Sequence, residues 1–191
     1  MTDLTWEQRE VAFGVMLGRA GAIWASEARH EGSVAPPTPA KELAELAKNV
    51  SGLCALWAEA SIRAHHGDLS EAYTTRVIDS ALNVAARCLS VLAALHVERP
   101  GEQVASTSTL PDAVGLLTTG EDLGLIAVDR IGRLLAYLGS VGEYYSDYIE
   151  HPESGASAVI IDVAALLAGK AICAALAAER GLWDAKEASR Q

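Results

Sequence analysis

This chain of 191 residues has no paired cysteine spacing and no basic stripe, and its opening does not read as a leader segment; each of these narrows what is expected of it. Cys54, Cys88 and Cys173 stand apart inside apolar stretches, without disulfide or zinc-ligand spacing, which suits small core residues in a reducing cytosol. Lys and Arg number 15 against 25 Asp and Glu, a net charge of −10, and the bases are scattered. Nucleic-acid binding through phosphates is therefore disfavoured. The opening MTDLTWEQRE is polar and acidic, so neither a signal peptide nor a transit peptide is expected, and a cytoplasmic location is. No glycine-rich phosphate loop and no nucleophile elbow occurs. One long apolar run, 158–178, is mostly alanine and is interrupted by Asp162 and Lys170, so it reads as a helix buried in protein rather than a membrane span.

What is present is apolar periodicity. Hydrophobic residues make up 50% of the chain, enough for a packed core without metal or disulfide staples. No strand pattern competes with the helical spacing, and the pattern predicts a single all-α domain, a bundle of about five helices. The first spans 5–30, with a capping-box pattern at Thr5 and Gln8 and with Val11, Val15 and Ala22 at helical spacing. Thr38 and Pro39 start the second, which carries Leu43, Leu46, Val50, Leu53 and Trp57 and stops near His-His-Gly-Asp. Asp68 and Glu71 are expected to cap the third, which runs to about Glu98. A long polar connection, 99–120, follows as a crossover or a lid. The fourth helix covers about 121–150 and the fifth about 156–179.

The second half of the chain resembles the first. At a constant offset of 83, VIDSALNVAARCL lies beside IIDVAALLAGKAI, pairing Asp79 with Asp162 and Arg87 with Lys170. The preceding segments WAEASIRAHHGD and VGEYYSDYIEHPE correspond with one residue of slippage. The reading is an internally duplicated helical hairpin, 39–98 and 121–181, joined by the connection and flanked by the first helix.

An Asp on a helix that is apolar nearly all round is costly unless it is exposed, paired or holding a metal, which draws attention to Asp162. Glu59 precedes Asp79 by 20 residues and Glu143 precedes Asp162 by 19, so a folded hairpin can face the two acids of each copy across one interface. Such carboxylates suit a hard divalent cation carrying a nucleotide's phosphates. On these residues the stretch 141–181 resembles the two central helices of MazG-like all-α nucleoside triphosphate pyrophosphohydrolases, whose EExxE and ExxD motifs bind Mg²⁺. In the resemblance Glu143 stands for the last Glu of the first motif and Asp162 for the Asp of the second, and Glu59 and Asp79 take those roles in the first copy. The sequence departs from the motifs at Gly139, Ser140 and Val159, and in the first copy at Ala55, Leu56 and Arg76. The resemblance implies a Mg²⁺-dependent nucleotide pyrophosphohydrolase, active or degenerate, with Glu59, Asp79, Glu143 and Asp162 as catalytic and metal-binding residues. Asp147, one turn after Glu143, is a further metal candidate.

Other constellations are poorer. Glu27 and His30 form one Glu-x-x-His where a di-iron bundle needs two, and Asp147 with His151 more simply marks a solvated helix end. His65 and His66 close a helix, where the dipole favours imidazole. Tyr137, Tyr144, Tyr145 and Tyr148 offer stacking surface for a base but suit packing better. The alternative expectation is a non-catalytic helical interaction or regulatory protein, of the phage-accessory type, acting through an amphipathic face as a homodimer or on another protein.

Overall fold

The computed structural model describes residues 6–30, 38–98, 128–151 and 156–188. Five helices and no strand occur among them: α1 (Trp6–His30), α2 (Pro39–His65), α3 (Glu71–Glu98), α4 (Val128–Glu150) and α5 (Ala156–Ala188). The chain is an all-α helical bundle. The connection 99–120 and the start expected for the fourth helix at 121 lie outside the described residues, as does Thr5 of the expected first cap.

Local chemistry sets the ends. The Lys41 amide donates to Thr38 Oγ1 at 3.4 Å and Pro39 opens α2, so Thr38 caps as the sequence indicates. The α2–α3 turn needs Gly67, whose φ of +72° is left-handed, and the Asp68 amide closes it by donating to the Arg63 carbonyl at 3.0 Å. Ser70, not Asp68, caps α3: the Tyr73 amide donates to Ser70 Oγ at 3.3 Å, while Asp68 turns towards Arg63. The sequence pointed to Asp68 because Asp and Ser serve equally well as caps and both precede the helix. Helix α5 continues past the expected end near Glu179 to Ala188, passing through Gly181.

Helices α3 and α5 form the central pair, with α2 on α3, α4 on α5, and α2 touching α4. Helix α1 lies against α3 and α5. Its buried residues are Phe13, Met16 and Ala20, whereas Val11 and Val15 are 67% and 58% exposed and Ala22 is exposed as well. The apolar spacing through Val11, Val15 and Ala22 therefore marks the helix and not its core face. In α2 the row Leu46, Val50, Leu53, Trp57 and Ala60 is buried at intervals of three and four.

The hairpins share their core positions. At the offset of 83, Val77 and Ile160, Ala81 and Ala164, Val84 and Leu167, Ala85 and Ala168, and Cys88 and Ala171 are buried pairs. At an offset of 84, Trp57 and Val141 are buried, while Glu59 and Glu143 are both exposed. Windows in α3 (Glu71–Leu95) and in α5 (Val159–Glu179) are long and apolar enough to cross a membrane by length and composition. Of the apolar window in each, 61% and 59% is buried inside the bundle, the pattern of core helices. Sequence inspection singled out only the second, because the polar first turns of α3 mask its apolar length.

Candidate functional site

The acids singled out in the sequence sit on the outer surface wherever their side chains are described. Glu59 lies on α2 near the hairpin turn, one helical turn before Arg63. Arg63 donates to Glu59 Oε1 from Nε at 3.0 Å and from Nη2 at 2.7 Å, and its Nη1 stands 3.8 Å from Asp68 Oδ2. The Tyr73 ring, from the first turn of α3, lies under two guanidiniums, with Arg63 Cζ 4.9 Å and Arg76 Cζ 5.3 Å from its centroid. The Tyr73 hydroxyl is buried beside Glu59 without closing a well-aligned hydrogen bond. That donor and then Arg63 hold the Glu59 carboxyl below the usual carboxylate range, and burial followed by Glu59 pushes the Tyr73 hydroxyl up.

Asp79 is exposed on α3, and Glu143 and Asp147 are exposed on α4. Asp162 lies in the second turn of α5, and its side chain is outside the described residues. Among the described residues no group of three or more His, Cys, Asp or Glu converges as a metal-ion cage. Asp147 and His151 occupy an exposed helix end, where the His151 amide donates to the Asp147 carbonyl at 2.7 Å. Trp57 is 1% exposed and Tyr148 7%, so both belong to the core, and Tyr145 stacks on Tyr148 with centroids 6.0 Å apart.

One charged cluster escaped the sequence reading. Arg87 of α3 reaches Glu42 of α2 at 3.2 Å through Nη1 and Glu27 of α1 at 3.1 Å through Nη2. The Glu42 side chain is 2% exposed, Arg87 16% and Glu27 36%. Three helices are thus tied at one guanidinium, and Glu27 Oε2 and Arg87 Nε are buried without an aligned hydrogen-bond partner. The signal was in the sequence: Glu42 begins the row that continues through Leu46, Val50 and Leu53, a carboxylate at a core position. The Glu27 side chain is drawn to Arg87, which explains the solitary Glu-x-x-His without a metal.

The outer faces of α1 and α4 carry apolar and small residues in rows. On α1 these are Val11, Val15, Gly18 and Ala22, all exposed. On α4 they are Leu135, Gly139, Gly142, Ser146 and Ile149, with Leu135 46% and Ile149 60% exposed. Both rows follow the spacing of four, three and four that keeps residues on one helical face.

Fold and surface together define a class, the all-α bundle in which two hairpins and a flanking helix enclose one apolar core. No protein family, no curated protein and no solved structure matches the chain.

Proposed function

We propose that the chain is a non-catalytic helical interaction protein of the cytoplasm, docking a partner on its outer helix faces. The observation that carries this is the exposure of Val11 and Val15 on α1 and of Leu135 and Ile149 on α4. On α1 the pair is continued by exposed Gly18 and Ala22, and on α4 it is linked by Gly139, Gly142 and Ser146, so each forms a continuous face, unlike the isolated apolar side chains common on protein surfaces. Small residues let a second helix approach closely, and apolar anchors at helical spacing are how an amphipathic partner is read. The test is retention of proteins from a source lysate by the wild-type chain, by Val15→Glu and by Ile149→Glu. A partner held by the wild type and lost with one variant of unchanged thermal stability is the expected result. Retention that neither substitution alters overturns the reading.

A second reading, a Mg²⁺-dependent nucleotide pyrophosphohydrolase-like protein, is favoured by the shared register. Asp79 and Asp162 fall at equivalent positions of hairpins whose cores coincide, and Glu59 and Glu143 do the same. Arg63 occupies Oε1 of Glu59 with two guanidinium hydrogen bonds, so a cation there would be held through Oε2, with the Arg63 charge weakening its hold. Incubation with Mg²⁺ and a panel of nucleoside triphosphates decides the matter. Pyrophosphate release abolished by Asp162→Asn and by Asp79→Asn establishes the enzyme, and no release together with no thermal shift on adding metal and nucleotide removes it.

A further inference from the structure

The two hairpins differ where their outer faces carry charge. Position for position, Glu59 of α2 corresponds to Glu143 of α4, Arg63 to Asp147, and His66 to Glu150. In the first hairpin Arg63 neutralises Glu59 from one turn away, at 2.7 Å. In the second the place of that base is taken by another acid. Glu143, Asp147 and Glu150 are all exposed, and none pairs with a described base. These acids border the apolar row Leu135–Gly139–Gly142–Ser146–Ile149, which spans roughly 21 Å at 1.5 Å per residue. Nothing lies within 4 Å of a Cβ built on Gly139 or Gly142, so the backbone there is open to close approach.

We infer that the outer face of α4 docks a basic amphipathic helix of a partner protein, whose Arg or Lys side chains supply the charge that Arg63 supplies within the first hairpin. This rests on the interaction reading above and assigns its partner class. Apolar residues of the incoming helix cover Leu135 and Ile149 and pack over the glycines, and its flanking bases pair with Glu143, Asp147 and Glu150. A helix with acidic flanks is repelled, and so is a second copy of this face, because both present like charges to the acid row.

A synthetic peptide of about 18 residues, with Leu at helical spacing and Lys on its flanks, serves as the probe, read by fluorescence anisotropy against the full chain. The same peptide with Glu for Lys is the charge control. The decisive variant is Asp147→Arg, which restores the base of the first hairpin. It is expected to weaken the Leu/Lys peptide at least tenfold with no loss of thermal stability, while Glu7→Arg, the same charge change on α1, alters binding less than twofold. Ile149→Ser is expected to weaken binding without changing charge. Equal weakening by Asp147→Arg and Glu7→Arg would mean attraction to net charge alone, and either that result or absence of peptide binding overturns the assignment. Self-association lost with Ile149→Glu would instead mark a second copy as the occupant and overturns it too. A lysate partner lost with Val15→Glu but kept with Ile149→Glu leaves the interaction reading standing while this assignment fails.

Discussion

At the residue scale, the strongest constraint is the buried contact of Glu42 and Glu27 with Arg87. A buried charge that loses its partner costs about 3–5 kcal/mol, whereas replacing a pair by apolar groups of similar volume costs far less. Arg87→Met leaves the buried Glu42 carboxylate without its base and is therefore expected to lower the unfolding free energy by about that amount in urea titrations. Glu42→Leu combined with Arg87→Met is expected to cost less than Arg87→Met alone, and strictly additive losses would show that the groups are not coupled. Glu59 gives a pH-dependent counterpart. Its carboxyl is held down in the folded chain, so its contribution to stability is present above the ordinary carboxylate range and is lost as pH falls through the lowered folded value. A carboxyl titration followed by NMR should show the Glu59 midpoint rising in Arg63→Gln and in Tyr73→Phe, and no movement in either would remove both causes.

At the scale of elements, the α2–α3 turn depends on one backbone conformation. Gly67 sits at φ +72°, and an added Cβ meets nothing within 4 Å, so a substitution there carries conformational strain without a clash. Gly67→Ala is expected to cost about 1–2 kcal/mol and Gly67→Asn less, since Asn tolerates the left-handed region. Thermal unfolding of the two variants decides this, and equal losses would show that the turn can relax. The neighbouring cap teaches a related point. Asp68 and Ser70 are both competent N-caps, and the choice of Ser70 follows from Arg63, which draws the Asp68 carboxylate across the turn.

For the molecule as a whole, the two central helices bury many small residues. Ala81 and Ala164 are both fully buried and occupy equivalent places in the two hairpins. Enlarging either to Leu overpacks a filled core, a cost of about 1–3 kcal/mol. Ala81→Leu and Ala164→Leu are expected to lose similar amounts in chemical denaturation, because their surroundings are related by the shared register. A large loss at one site and none at the other would show that α1, which belongs to neither hairpin, dominates the packing. Alanine-rich α3 and α5 also pass a length-and-hydropathy test for crossing a membrane, yet most of that apolar surface is turned inward.

The helices, most of their limits and the likeness of the two hairpins were legible in the sequence, because apolar spacing, Thr38–Pro39 and the turn glycine act within a few residues. The row through Leu46, Val50, Leu53 and Trp57 was read correctly because core-facing residues on α2 are large and its outer residues, Ile62 apart, are small or polar. On α1 the same logic failed: Val11 and Val15 are as apolar as Phe13 and Met16, and only the groove between α3 and α5 decides which set is buried. Pairing of charges was equally out of reach. Arg87 lies 45 residues from Glu42 and 60 from Glu27, and packing of three helices brings them to one point. Sequence by itself determined where this chain is helical, since helix formation and capping are local. Tertiary structure alone decided which acids are neutralised inside the fold and which, like those of α4, are left facing outward, since desolvation and long-range contact exist only once the helices have packed.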